Sequence, residues 1–502
     1  MISLDTFHLD PALSGTLQSR IQQLIAQGIL NGRFRPGDRL PSSRQLARHL
    51  GVSRITVTLA YTELVADDYL TARPRSGYTV SANAPEASVI KPFSSFHSTV
   101  DWPKKLGPAV PSLGLVKPPD WAGYRYNFIY GQADPTLFDS ANWRLCALQA
   151  LGKKDFSALT ADQYDQDDPL LIDFITRQTL PRRGILASPD EVLLTLGAQN
   201  ALWLTAQILL TPNKHAVIED PGYPSLRAIL QQRGCRLTPL AVDSDGLDPA
   251  TIPPCDVAFV TPSHQCPTTA TMPAQRRQAL LDKAESDDFL IVEDDYDFEM
   301  AFLRPPFPAL KSLDRQGRVI HIGSFSKSIF PGLRLGYLVG PAPFIAQARA
   351  LRAQVLRHPP GHIQRTTAYF LSLGHYDALI RRMNRAYLER RRVLDTAIAH
   401  HGLEVAGGSA QQNFGGSSLW MRARGTDTTA LAARLRSQGV LIEPGAPFFA
   451  LNDPTANHPP GATHPEATPP TDFYRLAYSS IPAGRIADGV GLVGEEMYGT
   501  TK

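Results

Sequence analysis

Lys327 sits within GSFSKSIFPGLRLGY, residues 323–337, with Ser324 and Ser326 beside it and Arg334 seven residues on. A lysine amine becomes a nucleophile toward an aldehyde when desolvation or a neighbouring cation lowers its pKa. Hydroxyls next to an arginine suit a phosphate. Residues that could share this chemistry recur after other short apolar runs: Gly197-Ala198-Gln199 after EVLLTL, Tyr223 after AVIED, and Asp294, Asp295 and Tyr296 after FLIVE. A lone lysine is ordinarily a solvated charge, and a lone Asp-Asp-Tyr ordinarily a turn; the conjunction is what points to a site. A helix N-terminus for a phosphate, a flat ring, a carboxylate able to pair with a protonated pyridine nitrogen and an amine are together complementary to pyridoxal 5′-phosphate.

The runs that precede these residues, EVLLTLG, AVIED, VAFVTPS, FLIVEDD and RVIHIGS, read as strands, and AQNALWLTAQILL and PAQRRQALLDKAES between them read as helices. Such alternation predicts an α/β domain with a mostly parallel sheet covered on both faces, whose ligands bind at the carboxyl ends of the strands. Every candidate residue falls at such an end.

A different texture fills residues 1–80, which hold nine arginines, no lysine and six acids. LQSRIQQLIAQGIL predicts a helix that stops at Asn31-Gly32. Ser42 or Ser43 caps a second helix ended by Gly51, and Ser53 caps a third, with Leu59, Leu64 and Val65 as its buried stripe. Helix, short turn, helix is the arrangement whose second helix enters the major groove of DNA. A two-stranded wing with Arg73, Arg75 and Ser76-Gly77 at its turn completes a winged helix-turn-helix. Ser42, Ser43, Arg44, Ser53, Arg54, Thr56, Arg73 and Arg75 are the candidate DNA contacts. Residues 81–124, rich in Pro and Ser without a sustained period, read as a linker, and 125–502 as the α/β domain.

Composition bounds the rest. A 502-residue chain suggests roughly two to four domains. A net charge of +3 does not by itself imply nucleic-acid binding. No apolar run is long enough to span a membrane, and MISLDTFHLD has no secretory pattern. Cys146, Cys235, Cys255 and Cys266 are scattered without metal-ligand spacing, so neither a zinc site nor a disulfide framework is expected, and a reducing cytoplasm fits.

LPSSRQLARHLGVSRITVTLAYTELVADDYL resembles the winged helix-turn-helix of GntR-type bacterial regulators, with Asp68 where that family has a glycine before the wing. GAQNALWL, EDPGYPSLR, TPSHQCPT, VEDDYDFE, GSFSKSIFPGLRLGY and YRLAYSS resemble a fold-type I, class I aminotransferase over residues 125–495. The whole chain is similar to the MocR-type subfamily. The resemblance implies Lys327 as the internal-aldimine lysine and Asp294 as the pyridine-nitrogen partner, with Asp295 its alternative. It places Tyr296 at the phenolic oxygen, Tyr223 on the ring, and Ala198, Gln199, Ser324, Ser326 and Arg334 on the phosphate. Arg475 would clamp an anionic group of an amino ligand. The aminotransferase loop with asparagine before Pro-Thr-Gly reads SHQCPTT, in which His264 or Gln265 takes the asparagine's place and Thr269 the glycine's.

The implied function is a transcriptional regulator that senses an amino compound by external aldimine formation at Lys327, needing no sustained turnover. Its partners would be double-stranded operator DNA and an anionic amino effector such as an amino acid or amino sulfonate. A homodimer with N-terminal domains swapped across it also follows from the resemblance. Two other readings stand beside it: a working class I aminotransferase with an appended DNA-binding domain, and a repressor whose large domain only dimerises.

Overall fold

The computed structural model describes residues 2–9, 15–73, 77–85, 99–107, 117–131, 134–162, 164–407, 414–450 and 470–499. The chain divides between Pro108 and Ala109 into two compact units. That boundary falls inside the stretch read as a linker.

The first unit is built on local signals that agree with one another. Leu17–Leu30 (α1) buries Ile21, Ile25 and Ile29 on one face. In Ser43–Leu50 (α2) the Ser42 hydroxyl accepts from the Gln45 N–H at 3.3 Å, while the Gln45 side chain accepts from the Ser42 N–H at 3.0 Å. Ser53 Oγ caps Arg54–Ala66 (α3) through the Thr56 N–H at 3.1 Å. The stripe that α3 buries is Val57, Ala60, Tyr61 and Leu64. This corrects the expectation for two residues: Leu59 is 48% exposed and Val65 only half-buried. Two residues past Val57 is about 200° around a helix, so Leu59 faces away from the core that Val57 enters. Tyr61 locks α3 to the chain before α2 by donating its hydroxyl to the Pro41 carbonyl at 2.9 Å. Leu70–Arg73 (β1) and Gly77–Val80 (β2) pair antiparallel, Leu70 opposite Val80. Asp68 adopts φ 59°, the left-handed conformation that the resembling sequences meet with glycine.

The second unit carries an eight-stranded sheet in the order Val192–Thr195, Gly336–Val339, Val319–Ser324, Leu290–Asp295, Val257–Val260, His215–Asp220, Arg236–Asp243 and Gly246–Leu247. Pairings from Val319–Ser324 through Arg236–Asp243 are parallel; Gly336–Val339 runs antiparallel to both neighbours. Side chains alternate between the two faces. Val292, Phe259 and Ile218 join one apolar cluster, and Ile291, Ala258 and Val217 another on the opposite face. A smaller antiparallel sheet sets Phe473–Ala477 between Ser418–Arg422 and Glu443–Pro444, with Arg475 opposite both Trp420 and Glu443. No described helix is long and apolar enough to cross a membrane.

Candidate functional site

The ends of the parallel strands surround a cavity of about 340 Å³ in the second unit. Ala198 and Gln199, Tyr223, Asp294, Tyr296, Ser324, Ser326, Lys327, Arg334 and Arg475 all line it. They come from the ends of four strands, Val192–Thr195, His215–Asp220, Leu290–Asp295 and Val319–Ser324, and from Phe473–Ala477 of the smaller sheet, which explains how residues far apart in sequence converge.

The helix Ala198–Leu209 begins at the cavity wall, with Ala198 and Gln199 lining it, and has no side-chain cap; the first N–H groups of a helix have no intrahelical partner. Gly197 before it has φ 78°, and a Cβ there would lie 3.4 Å from the Arg334 guanidinium and 3.5 Å from Ser326 Oγ. Ser324, Ser326 and Arg334 thus cluster with a helix N-terminus, a donor-rich cradle for a dianion. Arg334 Nη2 donates to the Leu196 carbonyl at 3.1 Å.

Asp294 and Asp295 part company here. Sheet alternation turns Asp295 to the far side, where it accepts from Arg183 Nε at 2.7 Å with both side chains 1% exposed. Asp294 faces the cavity, and its Oδ1 has no hydrogen-bond partner. Burial, with Asp295 and Asp297 adding to it, pushes its carboxyl up to about 8. A buried carboxylate in that state is suited to a cationic partner supplied from the cavity.

Lys327 lines the same cavity, next in the chain to Ser326. Burial first, then the neighbouring Arg475, pulls its amine down to about 8. A lowered amine is neutral, and so nucleophilic, in a larger share of molecules near neutral pH than an ordinary lysine. The amine sits 4.2 Å from the centre of the Tyr130 ring, and the Arg475 guanidinium lies 4.2 Å from the same ring. Gly131 follows with φ 73°, and a Cβ on it would stand 2.6 Å from Lys327 Nζ. Arg475 Nε donates to Glu443 Oε2 at 2.8 Å, and Glu443 Oε2 also accepts from the Tyr130 N–H at 3.1 Å. That pairing offsets burial and holds the guanidinium charged.

In the first unit, Arg44 and Arg54 are exposed at the starts of α2 and α3, and Arg73 is exposed at the end of β1. Ser42 and Ser53 are occupied as caps, Ser43 is half-buried in the first turn of α2, and the Thr56 hydroxyl is 2.8 Å from Ser53 Oγ. Arg75 and Ser76 lie outside the described residues.

Comparison with known proteins joins these two halves. Residues 17–80 match the family described as bacterial regulatory proteins, gntR family, and 170–457 match aminotransferase class I and II. The chain is 56% identical to the HTH-type transcriptional regulator TauR of Rhodobacter capsulatus, covering 99% of both chains. It is 30% identical to the probable rhizopine catabolism regulatory protein MocR of Rhizobium meliloti, over 89% of this chain and 90% of that one. The chain belongs to the MocR-type GntR regulators. Its fold agrees with that of LysN, an α-aminoadipate aminotransferase from Thermus thermophilus, at TM-score 0.65 and 24% identity over 80% of this chain and 99% of the other. A kynurenine aminotransferase from Pyrococcus horikoshii gives TM-score 0.64 at 23% identity, covering 75% and 91%. The protein is therefore an aminotransferase-like transcriptional regulator of a pyridoxal-phosphate-type family, and its N-terminal unit is of a DNA-binding class.

Within this MocR-type chain one expected residue stands apart from the cavity. His264 is not among its lining residues; its Nδ1 is 2.8 Å from Asp297 Oδ2, and its carbonyl accepts the Tyr296 hydroxyl at 2.9 Å. Gln265 is likewise engaged, donating to Pro221 O at 2.8 Å and accepting from the Thr268 N–H at 2.9 Å. Cys266 lines the cavity instead, its thiol pushed up to about 12, chiefly by burial. The signal was present: Thr269, at φ 63°, holds the glycine slot, and counting back through Pro-Thr reaches Cys266. Lys117, Tyr130, Glu443 and Phe448 also line the cavity and carried no recognisable motif.

Proposed function

We propose that this protein regulates transcription by holding pyridoxal 5′-phosphate at Lys327 and reporting an anionic amino compound to a winged helix-turn-helix bound on double-stranded operator DNA. The observation that carries the reading is one cavity in which a buried amine, lowered to about 8, meets an unpartnered Asp294 carboxyl and a buried Arg475. Ala198, Gln199, Ser324, Ser326 and Arg334 would hold the phosphate, Tyr223 the face of the ring, Tyr296 its phenolic oxygen and Asp294 its nitrogen. Bound there, the cofactor supplies an aldehyde that condenses reversibly with amines. Lys327 then serves as a displaceable anchor, and Arg475 orients the incoming ligand by its anion. Glu443 already occupies the Nε edge of Arg475, so the ligand's anion is offered the Nη edge.

A homodimer fits the same reading. Leu145 and Leu148 on the helix Ser140–Ala150, with Leu151 and Phe156 just beyond, are 57–61% exposed, an apolar face that a second copy would cover. Domain swapping across that dimer belongs to the proposal, as does effector-dependent repositioning of paired DNA-binding units.

Lys327→Ala tests the sensor. It should lose the absorbance of lysine-held cofactor and the effector response, while operator binding persists because none of these residues lies in the first unit. Wild-type protein given amino compounds should show a cofactor spectral change with little keto acid released. Sustained release at about 1 per second or faster would make the protein a working aminotransferase.

A further inference from the structure

Ile55 is 72% exposed in the first turn of α3, and among the described large apolar side chains only Leu186 is more exposed. Leu59 lies one turn on, on the same face, 48% exposed. The hydroxyls of this helix are engaged locally. Thr56 is 2.8 Å from Ser53 Oγ, Thr58 donates to the Arg54 carbonyl at 2.9 Å, and Thr62 donates to the Thr58 carbonyl at 2.9 Å. The outer side of the first two turns therefore offers Arg54 and two aliphatic side chains rather than a row of polar readers.

The major groove has one apolar feature that distinguishes bases, the 5-methyl group of thymine. Residues near the N-terminus of the second helix of a helix-turn-helix are the ones that reach base edges. An aliphatic side chain held in water at that place gains from burial only against an apolar counterpart. We propose that Ile55 is a specificity-determining residue that reads a thymine 5-methyl group in the operator, with Leu59 extending the apolar strip along the groove. The inference rests on the reading of α3 as the groove helix. It adds what the arginines cannot supply: Arg44 and Arg54 can choose guanine edges or phosphates, whereas Ile55 selects thymine over both uracil and cytosine by one methyl group.

The test uses the full chain and duplexes recovered by binding selection from a random-sequence pool. In the tightest duplex, each thymine is replaced in turn by deoxyuridine, which removes only the methyl group. One position per half-site should lose about fourfold in affinity, the change expected when one buried methyl-sized group is removed. Ile55→Ala should bind the thymine duplex more weakly and no longer distinguish thymine from uracil at that position; Ile55→Val should fall between. The side chain is exposed, so circular dichroism and the thermal transition should be unchanged in both variants. Tolerance of uracil at every position by the wild type, or an undiminished methyl effect in Ile55→Ala, overturns the proposal. If Arg54→Ala weakens binding yet uracil is tolerated throughout, only the role of Ile55 falls. If no duplex is enriched, the groove reading of α3 falls with it.

Discussion

Asp294→Asn separates what a buried carboxylate costs the folded chain from what it contributes to a bound cofactor. Burial and the neighbouring Asp295 and Asp297 move this carboxyl from its ordinary 3.8 up to about 8. An acid whose folded pKa is raised gives its full stability only below the unfolded value, and that contribution is lost as pH rises from about 4 to about 8. At 1.36 kcal/mol per unit, a gap of about four units caps the loss at about 5–6 kcal/mol, and relaxation and water entry around a buried charge bring it to about 2–3 kcal/mol. Asparagine has the same shape without the charge. Cofactor-free Asp294→Asn should match or fall slightly below wild type at pH 5 and exceed it at pH 8, the Tm difference widening by about 2–5 °C. Lys327 does not confuse the measurement. Its lowered pKa acts between about 8 and 10.5, where stability falls as pH falls, and is flat below that window. Calorimetry of the full chain across pH 5–8, following the transition of the larger unit, reads the effect. With pyridoxal phosphate the sign reverses: losing a charge-assisted bond to the ring nitrogen should weaken cofactor binding about ten- to a hundredfold. Parallel Tm curves across this range, together with unchanged cofactor affinity, would refute the assignment of Asp294.

Arg475→Ala should retain cofactor colour, because the groups proposed to hold the cofactor remain, but weaken the response to anionic amino compounds by about tenfold to a hundredfold in a spectral titration. Glu443→Gln removes the anion already paired with Arg475 and should tighten binding of an anionic amino compound in that titration; an unchanged or weaker midpoint would show that Glu443 supports the ligand rather than competing with it. Arg44→Ala and Arg54→Ala should each cost about 1–3 kcal/mol at the operator position read if they contact a base, or lower the salt slope by about one unit if they contact phosphate, as seen in binding isotherms across salt concentrations. Unreduced affinity in both would remove them from the interface.

The sequence alone determined the elements and the chemistry at their ends. Ser42 and Ser53 announce the starts of α2 and α3 because capping is a local matter settled within one turn. Near-continuous apolar runs announce buried parallel strands, and Lys327, Asp294 and Tyr223 follow such runs directly. What lay beyond it were facts of direction and neighbourhood. Nothing in EDD says which aspartate meets the cavity; the two faces of the sheet decide that, giving Asp295 to Arg183 and Asp294 to the site. Tyr130 and Glu443 reach Lys327 and Arg475 from distant parts of the chain, brought there only when the second sheet sets Glu443 opposite Arg475. Leu59 illustrates the same limit within a helix, where hydrophobicity argued for the core and the arc from Val57 turned it outward. Local propensity acts over a few residues, whereas which face is buried depends on what the rest of the chain packs against it.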